Sequence, residues 1–117
     1  MLQQLLLTAL IMILIDAPYL TMIASSSFRP MIQKIQGSAL EFKLWAAIPV
    51  YLALSYLLNL ATNWKQAALI GGATYAVYDF TNLATLKDYT VAFAIQDTLW
   101  GAALFALVYY VKNMLHV

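Results

Sequence analysis

The chain has 117 residues, of which 64% are hydrophobic and 9% charged, with a formal net charge of +1 at neutral pH and a mean hydropathy of +0.79. That is too apolar for a soluble fold and reads as an integral membrane protein in contact with a lipid bilayer. Six basic residues scattered along the chain leave no footprint for nucleic acid, and the lack of cysteine excludes disulfide and thiol chemistry.

Four apolar runs follow one another: Leu2 to Ala24, Leu44 to Leu60, about Gln66 to Leu86, and Thr90 to Val111. Each approaches the ~20 residues a helix needs to cross a ~30 Å hydrocarbon core. The expected architecture is an all-α, four-helix transmembrane bundle forming one domain over residues 1–117. The first run lacks a basic leader segment and carries Asp16 and Pro18 in its apolar part, so it is expected to be a retained span and not a signal peptide. Ser25, Ser26 and Ser27 are expected to end it. After them, Phe28, Met31, Ile32 and Ile35 alternate with Arg29, Gln33, Lys34 and Gln36, which predicts a short amphipathic helix lying at the membrane interface. The second run contains Pro49, a helix-breaking residue, and a polar stripe of Ser55, Asn59, Thr62 and Asn63. Gly71 and Gly72 on the third helix and Gly101 on the fourth offer surfaces small enough for close helix contact, within the bundle or across a homodimer or larger ring. Arg29, Lys34, Lys43 and Lys87 lie at the first and third connections, against Lys65 and Lys112 on the other side. By the positive-inside rule this multi-pass chain has both termini away from the cytosol.

Asp16, Asp79 and Asp97 are the informative residues, because each sits in an apolar run. An aspartate near the centre of a membrane helix costs on the order of 3 kcal/mol, so such a residue turns inward, toward a partner or a task. Counting from the expected helix ends at 1.5 Å per residue, all three fall in one layer roughly 10 to 12 Å inside the same face. Three ionised carboxylates cannot share a dry site, so they share protons, are neutralised by a cation, or are held by tyrosines as packing residues. Tyr75, Tyr78, Asp79 and Asn82 make one stripe on the third helix, and Phe93, Asp97, Trp100 and Gly101 another on the fourth. Tyr19 lies one turn beyond Asp16.

The run from Gly72 to Asp88, with Tyr78-Asp-Phe-Thr-Asn-Leu-Ala-Thr-Leu86 inside it, is flanked by Leu14-Ile-Asp-Ala-Pro-Tyr-Leu20 and Asp97-Thr-Leu-Trp-Gly101. These segments resemble the family of predicted membrane proteins called domain of unknown function 2177. The resemblance implies a small four-helix membrane protein and brings no activity, substrate or cofactor with it.

The residues therefore carry the functional reading alone. His116 is the single histidine, which disfavours histidine-ligated haem and zinc, and no glycine-rich phosphate loop is present. No cofactor is expected. The leading expectation is a protein that conducts, transports or senses a proton or small cation, with Asp79 central, Asp16 and Asp97 as partners, and Tyr19, Tyr78 and Asn82 as hydrogen-bonding neighbours. Asn59 and Asn63 would form an opening on the opposite face. Two alternatives stand beside it: a membrane-embedded enzyme using paired carboxylates on an apolar or lipid substrate, and a structural or accessory subunit whose acids face a protein partner.

Overall fold

A computed structural model describes all 117 residues, Met1–Val117. The chain is entirely helical: α1 (Leu2–Pro18), a π-helical segment (Tyr19–Ala24), α2 (Ser25–Gln36), α3 (Leu44–Asn59), α4 (Trp64–Thr85) and α5 (Val91–Met114). The first three form one continuous rod from Leu2 to Gln36, so the bundle has four helices and no strand.

The three serines do not end the first helix, contrary to expectation. Pro18 has no N–H to give, and the helix responds by widening to π geometry immediately after it. Hydroxyls then take up carbonyls along the disturbed stretch: Thr21 Oγ1 donates to Ala17 O, Ser25 Oγ to Thr21 O and Ser26 Oγ to Ile23 O, all at 2.8 Å. The helix stops instead at Gly37, whose left-handed φ of 76° lets its N–H reach Gln33 O at 2.9 Å. The amphipathic segment is therefore the second part of the first helix and not a separate element. Its buried Met31 packs with Tyr89 and Phe93 over the α4–α5 connection.

Two helices are long and apolar enough to cross a membrane: Leu2–Gln36, with mean hydropathy 2.0, and Val91–Met114, with 1.7. The apolar α3 has 16 residues, or about 24 Å of helix, short of the ~30 Å hydrocarbon core. Leu10, Leu14, Ile48, Leu69, Val77, Leu99 and Leu107 all point outward, an apolar surface suited to lipid and a liability in water.

With lipid outside, helix association depends on close packing and interior polar contacts. The most extensive contact is between α4 and α5. A β-carbon at Gly71 would collide with the Gly101 carbonyl and the Phe105 side chain, and one at Gly101 with the Tyr75 ring. Gly72 is only half-buried, and a β-carbon there would meet Ala102 Cβ at an ordinary 3.4 Å. Asn63 caps α4, its side chain accepting from Gln66 N at 2.8 Å. Gln66 Oε1 in return accepts from Thr62 N at 2.6 Å, a reciprocal cap that stiffens the α3–α4 turn. Thr90 caps α5 in the same way, accepting from Phe93 N at 3.1 Å.

Candidate proton site

All three aspartates face the interior, with exposures of 3% for Asp16, 1% for Asp79 and 8% for Asp97. Each is met by a tyrosine from another element. Tyr51 of α3 donates to Asp16 Oδ2 at 2.5 Å, Tyr19 of the π segment to Asp97 Oδ1 at 3.1 Å, and Tyr89 of the α4–α5 connection to Asp79 Oδ1 at 2.7 Å. The π segment matters here, because the extra residue in its turn changes the direction from which Tyr19 meets α5.

The Asp79 and Asp97 side chains are buried neighbours across the α4–α5 seam, close enough to interact electrostatically. An ionised carboxylate only accepts, so a bond between two of them exists only when one proton lies between them. Asp79 Oδ2 is buried and meets no hydrogen-bond partner, an exception to the usual pairing of buried polar groups. Each acid of the pair is bonded to a phenol from another element. Gln96 Nε2 donates to the Tyr19 hydroxyl at 3.4 Å, and Asn82 lies near the Tyr89 hydroxyl.

Asp16 forms a second node. Its Oδ1 accepts from Trp100 Nε1 at 2.7 Å, so both of its oxygens are occupied by protein donors. Trp100 also stacks on Tyr19, with ring centroids 4.6 Å apart and planes 17° from parallel, and thus joins Asp16 to the neighbourhood of Asp97.

Of the residues picked from the sequence, Asp16, Asp79, Asp97, Tyr19 and Asn82 come together. Tyr78 is bonded to no acid; it is 42% exposed and its ring lies 5.1 Å from that of Tyr75. Asn59 turns into the bundle and Asn63 is spent on the cap, so the two do not form a common opening. Tyr51, Tyr89, Trp100 and Gln96 were not selected. Only Trp100, on the Asp97 stripe, carried a signal in its spacing.

Tyr89 connects the pair to the surface. With Ser27, Met31, Lys34, Asp88 and Thr90 it lines a cavity of about 310 Å³ where α2 meets the α4–α5 connection. Burial, reinforced by the bond to Asp79, pushes the Tyr89 hydroxyl well above the ordinary tyrosine range, so it remains a donor at neutral pH. A larger apolar depression of about 790 Å³ beside Trp64, Leu107 and Tyr110 contains none of these groups.

The family description "Predicted membrane protein (DUF2177)" matches residues 1–113, nearly the whole chain and all three acids. The chain belongs to the DUF2177 family. No curated protein and no solved structure matches it. What this DUF2177 member can do chemically is therefore read from its interior, which holds three buried carboxyls, each bonded to a phenol, with Asp79 and Asp97 adjacent across the α4–α5 seam.

Proposed function

We propose that this DUF2177 protein moves or senses protons across the membrane through the Asp79–Asp97 pair, with Asp16 as a second station. The reading is supported by the adjacency of two buried carboxyls, one oxygen of which, Asp79 Oδ2, is buried without a partner that a shared proton would supply. Bonding to tyrosine alone would suit a packing aspartate equally well. A packing role, however, requires neither an unpartnered oxygen on a buried acid nor a polar cavity whose wall, Tyr89, donates directly to that acid.

The donor set also favours a proton over a metal cation. A cation needs oxygen lone pairs directed at it, whereas both oxygens of Asp16 and one oxygen each of Asp79 and Asp97 accept from O–H or N–H groups. In this reading α3 and α4 also span, giving a four-span, multi-pass protein, and the basic residues around the first and third connections place the termini away from the cytosol. The close-packed glycines serve the α4–α5 seam within one chain, and a homo-oligomer would add an outer wall to the proton path.

The test is proton entry into proteoliposomes under an imposed pH gradient, with Asp79→Asn as the comparison. The expected result is a flux that the variant strongly reduces while the protein remains folded. Wild-type vesicles that stay tight would shift the weight to an enzyme acting on an apolar substrate or to an accessory subunit.

A further inference from the structure

A second buried polar cluster lies along the α1–α3 seam, away from the acids. The two helices run antiparallel and are tied at two places, Tyr51 to Asp16 at 2.5 Å and Asn59 Nδ2 to Thr8 Oγ1 at 3.4 Å. The ties are eight residues apart on each helix, about 12 Å at 1.5 Å per residue. Midway between them by register stand Met12 and Ser55, both fully buried.

The Ser55 hydroxyl, like that of Thr98 in α5, departs from the bonding of most helical threonines and serines. Thr8, Thr21, Ser25, Thr74 and Thr85 each donate to the carbonyl four residues back. Ser55 Oγ does not, and at 0% exposure it has no protein partner at all. Asn59 Oδ1, one turn further along α3, is likewise buried without a partner. Leaving such groups unsatisfied costs about 1–3 kcal/mol each, and buried water is the usual remedy where two to four polar groups converge. Ser55 Oγ can donate and accept, Asn59 Oδ1 and Thr8 Oγ1 can accept, and together they give one water a complete set of partners.

We propose that Thr8, Ser55 and Asn59 form a water-binding site, and that its water extends the proton path from Asp16 and Tyr51 toward the α3–α4 end of the bundle. Tyr51 and Ser55 are one turn apart on α3, about 6 Å of backbone rise, which places the water site next to the Tyr51–Asp16 tie in register. The relay half of the proposal rests on the proton reading given above, and the water site does not.

Nuclear magnetic resonance of labelled protein in lipid nanodiscs reads the water directly, through cross-peaks from water to the Asn59 side-chain amide. A persistent cross-peak in the wild type that is lost in Ser55→Ala is expected, and a wild type without it overturns the site. Proton flux in proteoliposomes reads the relay: Ser55→Ala and Asn59→Leu should each slow it severalfold, while Asn63→Ala, which alters only the cap, leaves it unchanged. A bound water with unaltered flux in both variants overturns the relay and keeps the site. A bound water in a wild type that passes no protons contradicts the acid-pair reading and the relay with it.

Discussion

Tyr89 donates its hydroxyl to Asp79 Oδ1 across 2.7 Å, from a connection outside the helices to the most deeply buried acid of the bundle. The bond closes the protein side of a polar cavity and fixes one carboxyl of the pair. Tyr89→Phe removes the donor but little volume and leaves Asp79 Oδ1 short of a partner. The expected loss is about 1–3 kcal/mol of stability, measured by reversible denaturation in detergent, together with altered proton flux. Tyr110→Phe, on the exposed side of α5, serves as the neutral comparison.

Asp16 is held by two donors from different helices, so removing them tests whether they act as a unit. Tyr51→Phe and Trp100→Phe should each destabilise the bundle by about 1–3 kcal/mol. In a double-mutant cycle the combined variant should lose less than the sum, because both donors serve the same carboxyl. Strictly additive losses would show that the two bonds are independent.

The glycines separate by crowding. Gly71→Ala and Gly101→Ala should cost about 1–3 kcal/mol through overpacking, since the new methyl meets Phe105 in one case and Tyr75 in the other. Gly72→Ala should be neutral or stabilising by up to ~1 kcal/mol, from helix propensity in an ordinary contact. Thermal unfolding of the three purified variants ranks them.

The Asn63 cap is a structural feature free of the proton path. Asn63→Ala should lower stability by about 1 kcal/mol, the usual cost of losing an N-cap, while flux through folded protein stays at the wild-type level. A flux loss matching that of Asp79→Asn would instead return Asn63 to the pathway.

The three acids were legible because a charge inside an apolar run stands out, and the cost of exposing it to lipid dictates an inward direction. Their tyrosine partners were not. Tyr51 and Asp16 are 35 positions apart and Trp100 and Asp16 are 84 apart, distances over which spacing on one helix says nothing. Tyr89 lay in a segment read as a simple connection, and only the packing of Met31 over it shows that it is buried. The serine triplet misled for a local reason, since hydroxyls that favour helix ends can also bond back to helical carbonyls and let the helix continue. Gly71 and Gly72 are equivalent by composition; the rotation of α4 against α5 decides which one is crowded.

The central claim is that Asp79 and Asp97 hold a proton between them inside the bundle, and infrared spectroscopy of the lipid-embedded protein at neutral pH tests it most directly. The wild type should show the carbonyl stretch of a protonated carboxyl, sensitive to exchange into heavy water, and Asp79→Asn or Asp97→Asn should remove or shift it while Tyr78→Phe leaves it in place. A wild-type spectrum containing only ionised carboxylates, or a protonated band unmoved by either aspartate substitution, would contradict the account.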